Sequence, residues 1–423
     1  MWGRLRGQLR SPLYRNALFL MTNNLMTGAS GLIFWLVAAR WFYQTEEVGL
    51  ASAAISAMQL LGLFATLGLD YALIRYLPGS GKGANALVNS CLTISGLAAV
   101  FVSLIFIAGL DLWSPALLFL RRDPVFLSAF VVLTVGWTFH MLGGKIFVAW
   151  RRAGYTLGEG ILFNLFRVGL VVLLASFFGV FGLFAAWGLA ATLAIAIGIL
   201  RFIPRVQAGY RPLPAIRRDV ISKVVHFSAA NYATALFWFA PSFILPIMVL
   251  NRLGAEETAY FYIAWAISRF LFSIGISVSF SLFAEGSHDK RKLAHDTKRS
   301  LVFTIAVIVP AAVVVALLGD RVLHVFSPAY AEHATGLIRI LAVSALPLSL
   351  NHIFFGVKRV EMKMGSVVLL NALIAAGTLA LSWVLLPSMG ITGVGIAWLS
   401  SQSVVAIVVI LWWLPGARKG SIG

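Results

Sequence analysis

Residues 179–187 read GVFGLFAAW and residues 390–398 read GITGVGIAW, so a nine-residue stretch recurs after 211 positions. Other matches follow in the same order at nearly the same shift: Phe19-x-x-x-Asn23 with Phe227-x-x-x-Asn231, Glu46-Glu47 with Glu256-Glu257, Ile146-Phe147 with Ile353-Phe354, Arg152 with Arg359, Gly158 with Gly365, and Asn164 with Asn371. Each match is weak alone, but their shared order indicates an internal duplication. We predict two similar halves, residues 1–203 and 224–423, joined by a basic cytoplasmic linker at residues 204–223.

The composition indicates a membrane protein. Hydrophobic residues make up 60% of the 423 residues and charged residues only 11%, whereas soluble domains carry about 25% charged residues. A water-soluble fold of this length cannot bury so much apolar surface. The single cysteine, Cys91, excludes a disulfide framework, and the scattered histidines form no ligand pattern on an apolar helix. We therefore expect neither a metal nor another cofactor.

Apolar stretches recur along the whole chain, and each is long enough for a helix that crosses a bilayer. They cover about residues 16–40, 48–74, 85–110, 124–150, 155–178, 180–203, 224–250, 258–284, 300–319, 332–357, 365–387 and 391–414. Barrel strands would instead alternate over about ten residues. The sequence predicts an all-α polytopic protein with twelve spans, six in each half.

The basic residues orient these spans. Most of the 33 lysines and arginines fall at the N-terminus and in every second loop, and the intervening loops contain only Arg40, Arg121, Arg122, Arg252 and Arg321. The positive-inside rule then places both termini in the cytoplasm. The same rule accounts for the net charge of +18, so we expect no nucleic-acid partner. The outer loops are too short for a catalytic domain, which argues against a membrane-embedded glycan enzyme.

An even number of spans gives both halves the same orientation, with a pseudo-symmetry axis along the membrane normal. Two such bundles predict a central cavity and a transporter that works by alternating access. The Glu46-Glu47 and Glu256-Glu257 pairs start helices, where acidic residues complement the helix dipole, so we interpret them as caps and not as catalytic carboxylates.

Arginines within the spans are the main candidate substrate-binding residues. Arg269 lies near the middle of span 8, where an arginine costs about 2.5–3.5 kcal/mol on insertion scales. We expect it to face the cavity and bind an anion, with a buried ion pair as the alternative. Arg167 lies in span 5, eight residues after Glu159. A substrate role and a shielded intramembrane network are equally open for Arg167.

Four further residues are weaker candidates. Arg339 in span 10 can bind substrate or extend toward the interface, and Arg75 at the end of span 2 can meet an anionic headgroup or anchor the span. Asn23 and Asn231 are related by the repeat, on spans 1 and 7. Polar residues of this kind usually form interhelical hydrogen bonds, and these two are also candidates for cavity lining.

Several segments in order resemble the multidrug/oligosaccharidyl-lipid/polysaccharide exporter superfamily, and within it the polysaccharide branch of Wzx-type flippases. They are ARWFYQTEEVGL at 39–50, GL at 68–69 with ALIRYL at 72–77, FAEGS at 283–287, VFSPAY at 325–330 and GITG at 390–393. The resemblance covers nearly the whole chain.

This resemblance implies a MATE-like bundle of twelve helices with a cationic cavity, which moves a lipid-linked oligosaccharide or polysaccharide precursor across the cytoplasmic membrane. The implied partners are this polyprenyl-diphosphate glycan, membrane lipids and glycan-assembly enzymes, and we expect a monomer. The alternative with the same fold is a cation-coupled multidrug exporter, which would need a carboxylate deep in span 1 or 7. A major-facilitator transporter and a purely structural role are less favoured.

Overall fold

The computed structural model describes residues 12–175, 178–288 and 290–419, and in these ranges the chain contains helices and no strand. The long helices are α1 (Pro12–Val37), α2 (Thr45–Ala65), α3 (Ala84–Ala108), α4 (Pro124–Ala149), α5 (Ala153–Ala175), α6 (Gly179–Ile197), α7 (Arg218–Leu253), α8 (Ala255–His288), α9 (Leu293–His324), α10 (Pro328–Val360) and α11 (Met364–Lys419). Each of the eleven contains a segment that is long and apolar enough to cross a membrane. The prediction of an all-α membrane fold is confirmed.

Local sequence determines where the helices begin. Glu47 Oε2 accepts a hydrogen bond from the Gln44 amide at 2.9 Å, which satisfies a free donor at the start of α2. This contact confirms the capping role predicted for Glu47. At the start of α4, the Asp123 side chain accepts a hydrogen bond from the Val125 amide at 2.8 Å, and Pro124 takes the first helical position, where its missing amide proton costs nothing.

The long helix α11 contains both of the last two predicted spans. Gly390 interrupts it with non-helical angles, φ 58° and ψ −149°. A Cβ atom on Gly377 would lie 2.9 Å from Ser401 Oγ, although these residues would be about 36 Å apart in a straight helix. The chain therefore reverses at Gly390, and the two arms of α11 pack against each other. The described chain thus has eleven continuous helical stretches, and the two arms of the last one are the predicted spans 11 and 12.

The chain divides into two compact units, Met1–Tyr232 and Ala233–Gly423. In the first unit α5 packs against α1 and α6, and α4 packs against α2, α3 and α6. In the second unit α10 is central, with α8, α9 and α11 around it. Helix α7 crosses from one unit to the other, because the division falls after Tyr232.

The division also places the predicted linker, residues 204–223, in the first unit. Asn89 Nδ2 on α3 donates to the Arg211 carbonyl at 2.8 Å, and Thr93 Oγ1, one turn further along, accepts from the Ala215 amide at 3.1 Å. Side chains four residues apart lie on the same face of a helix. One face of α3 therefore holds the backbone of the linker.

Equivalent tryptophans of the repeated stretch lie inside the two units. Trp187 is 7% exposed, and its ring centroid lies 5.2 Å from that of Phe34. Trp398 is 2% exposed, and its centroid lies 5.0 Å from that of Trp265. Such edge-to-face aromatic contacts add about 0.5–1.5 kcal/mol to the gain from burial. The repeat therefore marks one packing position in each half.

Candidate functional site

Arg269 lies midway along the membrane-crossing part of α8, which runs from Ala255 to Phe283. Both ends of that segment are about 21 Å away along the helix axis. The side chain is exposed, and no residue in the described part of the chain forms a hydrogen bond or an ion pair with its guanidinium group. The alternative considered for Arg269, a buried ion pair, is therefore absent from that part of the chain.

Three exposed serines lie on the same face of α8 as Arg269, on its C-terminal side. Ser273, Ser277 and Ser281 follow at intervals of four residues, and all three are exposed. Four-residue steps keep side chains on one face of a helix. We refer to Arg269, Ser273, Ser277 and Ser281 as the α8 polar stripe. The stripe extends for about 18 Å, given a rise of 1.5 Å per residue.

The opposite face of α8 is packed closely against α10. A Cβ atom on Gly275 would lie 2.2 Å from Ser349 Oγ, and one on Gly356 would lie 2.9 Å from the Ser279 carbonyl oxygen. Ser268, next to Arg269 in sequence, is 1% exposed. Close contact between small residues is typical of helix packing in membranes. This packing fixes the rotation of α8 about its axis, so the polar stripe lies on the side of α8 that faces away from α10.

Arg167 occupies a different environment, inside the first unit. Its side chain is 1% exposed, and its Nη2 atom donates to the Thr27 carbonyl at 2.9 Å, to Asn164 Oδ1 at 3.1 Å and to Ser30 Oγ. The guanidinium carbon also lies 4.6 Å and 4.5 Å from the ring centroids of Phe163 and Trp187. This arrangement favours the predicted intramembrane network over substrate contact.

The network differs from the predicted one in its partners, because Glu159 does not contribute to it. Glu159 is 2% exposed and its Oε1 atom lies 3.0 Å from Nδ1 of His140 on α4. Arg167 instead binds neutral oxygens of α1 and α5. Eight residues of helix separate the two charges by about 12 Å along the axis, so a direct pair would need both long side chains to bend toward each other.

The other predicted site residues are dispersed. Arg339 is exposed and its Nε atom donates to the Ala316 carbonyl of α9 at 3.0 Å, and Arg75 is exposed at the end of the short helix Leu69–Tyr76. Asn23 lies against α5, since a Cβ atom on Gly160 would overlap its Oδ1 atom at 1.7 Å. Asn231 is half-buried in α7. Of the six, the structure brings only Arg167 and Asn23 to one interface, that of α1 with α5.

Sequence reasoning missed the serines of the polar stripe and the pairing of Glu159 with His140. The stripe was visible as Arg269, Ser273, Ser277 and Ser281 at constant spacing, a pattern that predicts one polar face on an apolar helix. No sequence pattern indicated the pairing of Glu159 with His140, because these residues lie on two helices whose relative rotation depends on packing.

Three solved structures share the fold of this chain. The inward-facing conformation of a multidrug resistance MATE family transporter of the MOP superfamily matches with a TM-score of 0.75 at 16% identity, over 94% of this chain and 96% of that one. The lipid II flippase MurJ in its inward closed conformation matches with a TM-score of 0.73 at 11% identity, over 94% and 87%. An outward-facing multidrug MATE transporter matches with a TM-score of 0.66 at 16% identity, over 98% of both chains.

At the level of sequence, the MatE family model matches residues 232–384, and no curated protein matches the chain. The identities to the solved structures are low, so the comparison establishes the fold. The MATE-like architecture that the resemblance implies is thereby confirmed. Both multidrug transporters and a lipid flippase share it.

Proposed function

We propose that this protein flips a lipid-linked oligosaccharide or polysaccharide precursor, carried on a polyprenyl diphosphate, across the cytoplasmic membrane by alternating access. The observation that carries the proposal is the α8 polar stripe, with the exposed Arg269 at mid-span. A charged group in contact with acyl chains at that depth is costly, so we infer that the stripe lines a hydrated pathway. Arg269 is the group that binds the diphosphate there.

The chemistry of the stripe suits a phosphorylated cargo. A guanidinium group donates two parallel hydrogen bonds to phosphate oxygens, and serine hydroxyl groups can donate or accept along the path of a glycan. The one acidic residue near the middle of a described span is Glu159, and it is buried beside His140. A mid-membrane surface with a free cation and no free anion favours a negatively charged headgroup.

The alternative, a cation-coupled multidrug exporter, has the same fold in its favour. It would use a carboxylate deep in α1 or α7, and the segments Leu18–Phe42 and Asn231–Leu253 contain no Asp or Glu. One structural neighbour, the lipid II flippase MurJ, supports a lipid-linked cargo for a chain with this fold. The multidrug neighbours support the alternative equally, and the positive charge of the stripe is the observation that favours the flippase.

Transport in proteoliposomes tests the proposal. Fluorescent polyprenyl-diphosphate glycans are incorporated, and their appearance in the other leaflet is measured for the wild type, Arg269→Gln and Arg269→Lys. We expect Arg269→Gln to slow the transfer about tenfold or more, since a charge-assisted hydrogen bond contributes about 1.5–3 kcal/mol. Arg269→Lys should retain part of the rate, because it keeps the charge and loses the bidentate geometry.

Arg252→Gln is the matched control, because Arg252 lies at the end of α7 with its guanidinium carbon 3.7 Å from the Trp383 ring centroid. It should leave transfer unchanged. Equal transfer by wild type and Arg269→Gln would contradict the role of Arg269. Efflux of a fluorescent lipophilic cation without any glycan-lipid transfer would contradict the flippase and support the exporter.

The basic loops support a cytoplasmic location of both termini, and glycan-assembly enzymes are the partners that would supply the cargo. We propose that the protein works as a monomer and as a transporter, not as an enzyme. Size-exclusion chromatography with light scattering tests the first point, and labelling of a cysteine added at each terminus in intact cells tests the topology.

A further inference from the structure

A cleft of about 320 Å³ opens at one end of the first unit, where α1 begins and α4 passes into α5. Three arginines line it, Arg15, Arg151 and Arg152, together with Asn16, Phe19 and Tyr155. All three arginines are exposed. This arginine cleft lies far along the chain from Arg269 and belongs to a different unit, and the proposed flipping function does not use it.

The backbone holds two of the arginines in place. Arg151 has a φ of +56°, in the left-handed region that non-glycine residues seldom adopt. Its amide donates to the Val148 carbonyl at 2.9 Å, and the next amide, of Arg152, donates to the Phe147 carbonyl at 2.9 Å. Asn16 Nδ2 on α1 donates to the Arg151 carbonyl at 3.0 Å. The turn between α4 and α5 is thus tied to α1, which carries the third arginine.

The charges in the cleft are not balanced by protein groups. Among the described residues, no carboxylate forms an ion pair with Arg15, Arg151 or Arg152. The cleft also adjoins the first turn of α5, a helix of 23 residues, whose dipole places partial positive charge at that end. Three guanidinium groups beside a helix N-terminus repel one another, and an anion with several oxygens would relieve that repulsion.

The apolar and aromatic surroundings of the cleft favour a lipid as the source of the anion. Leu18 and Met21, about one and two turns beyond Arg15 on α1, are 46% and 56% exposed, and they begin the apolar surface of the first span. Phe19 and Tyr155 form an aromatic wall of the cleft, and aromatic rings favour the interface between headgroups and acyl chains. A lipid can therefore place its phosphate among the arginines and a chain along α1.

We infer that the arginine cleft binds the phosphate group of a membrane lipid on the predicted cytoplasmic face. The ligand chemistry is a phosphate ester or diphosphate attached to an apolar chain. An anionic phospholipid and a polyprenyl diphosphate both present that chemistry, so the experiment has an arm for each.

Binding is measured with the purified full-length protein in a neutral detergent, by native mass spectrometry and by quenching of fluorescent lipid analogues. The probes are phosphatidylglycerol, a polyprenyl diphosphate without sugar, inorganic pyrophosphate and an uncharged diacylglycerol. We expect at least one of the two phosphorylated lipids to bind, with an affinity that falls as salt rises, and diacylglycerol not to bind. Pyrophosphate should bind more weakly than the lipid, because it lacks the apolar chain.

The triple variant Arg15→Gln/Arg151→Gln/Arg152→Gln should lower the affinity for the bound lipid at least about tenfold, the effect of one charge-assisted contact. Arg205→Gln is the matched control: Arg205 is exposed on the short helix Ile203–Val206, on the same predicted face, and does not line the cleft. Arg151→Asn is a second variant, since Asn tolerates the left-handed conformation. It removes the charge without forcing the turn to change.

A lower affinity in the triple variant and in Arg151→Asn, with Arg205→Gln unchanged, supports the inference. Selective loss of phosphatidylglycerol binding identifies a bulk phospholipid, and selective loss of polyprenyl-diphosphate binding identifies the headgroup of the proposed cargo. Unchanged affinity for both lipids in the triple variant would overturn the inference, as would an equal loss in Arg205→Gln. Neither result would affect the proposed flippase function, which is tested separately by measuring glycan-lipid transfer in the Arg269 variants.

Discussion

Gly182 and Gly393 occupy equivalent positions in the two halves, each close to a backbone carbonyl. A Cβ atom on Gly182 would lie 2.8 Å from the Leu174 carbonyl oxygen, and a Cβ atom on Gly393 would lie 2.8 Å from the Leu385 carbonyl oxygen. Each glycine follows by three residues a glycine with positive φ, Gly179 at +47° or Gly390 at +58°. The duplication thus preserves the backbone geometry of a reversal between two helices, although the side chains around it differ.

We expect Gly182→Ala and Gly393→Ala each to destabilise the protein by about 1–3 kcal/mol, the usual cost of overpacking. The added methyl group meets a backbone carbonyl, which cannot move aside as a flexible side chain could. Thermal unfolding of the purified protein in detergent measures the effect. Gly169→Ala is the control, because a Cβ atom there has nothing within 4 Å and alanine favours the helix. If Gly182→Ala unfolds no earlier than Gly169→Ala, the close approach is not a constraint.

Arg167→Lys should lower stability although it keeps the charge. A lysine cannot reproduce the fork that reaches the Thr27 carbonyl, Ser30 and Asn164, and each buried acceptor left unpaired costs about 1–3 kcal/mol. The measurement is the unfolding temperature, with Arg339→Lys as the comparison because Arg339 is exposed and makes one bond to a backbone carbonyl. Equal effects at the two positions would argue against a network specific to Arg167.

The contact between His140 and Glu159 should appear as a coupling energy. We expect a double-mutant cycle of His140→Ala and Glu159→Gln to give about 0.5–3 kcal/mol of interaction, as is usual for residues in direct contact. His140→Ala should be the more damaging single change, since it leaves a buried carboxylate without its 3.0 Å partner. Additive effects of the two substitutions would show that the pair contributes nothing beyond its members.

Ser277→Leu should slow transfer of the glycan lipid several-fold and leave the unfolding temperature unchanged. The side chain is exposed on the α8 polar stripe. A leucine there narrows the proposed pathway and makes its surface apolar, and it does not enter the packed interior. Val302→Leu on α9 is the control, because Val302 is 62% exposed on an apolar helix. Unaltered transfer by Ser277→Leu would place the stripe outside the pathway.

The Asp111–Arg121 contact should depend on pH. Arg121 donates to both carboxylate oxygens of Asp111 at 2.7 Å and 3.1 Å, and this hydrogen bonding holds the pKa of Asp111 below its usual value. Because the folded-state pKa is lowered, the stabilising contribution is present above the unfolded-state pKa of about 3.9 and is lost as pH falls through the folded-state pKa.

Arg121→Gln should therefore raise the pKa of Asp111, as measured by NMR of the 13C-labelled carboxyl group. Arg122→Gln provides the comparison, since the neighbouring side chain is also exposed and makes no contact with Asp111 in the described structure. A carboxyl group that titrates alike in both variants would contradict the contact.

The fold could be predicted from the sequence because two independent patterns agree. The length of the apolar stretches predicts the spans, and the repeated stretch around Gly179 and Gly390 predicts the division into halves. Predicted spans 11 and 12 are the two helical arms of α11, which meet at the non-helical residue Gly390 without a loop between them. Hydropathy identifies both arms and cannot identify the geometry of the residue that joins them.

The site was predictable only in part, for a reason that Arg167 and Arg269 illustrate. Both are arginines near the middle of an apolar span, and their cost in lipid is the same. Arg167 is enclosed by Thr27, Ser30 and Asn164, whereas Arg269 is exposed on α8. The difference lies in the rotation of each helix, which depends on contacts such as that of Gly275 with Ser349.

The reversal at Gly390 has a consequence for biogenesis. The two arms of α11 are joined without an intervening polar segment, so no hydrophilic stretch exists there that could be translocated on its own. The second arm must follow the first into the bilayer as a helical hairpin, with its backbone already hydrogen-bonded. An epitope tag inserted after Gly390 would separate the arms, and we expect it to trap the chain at the insertion machinery and not merely to label its surface.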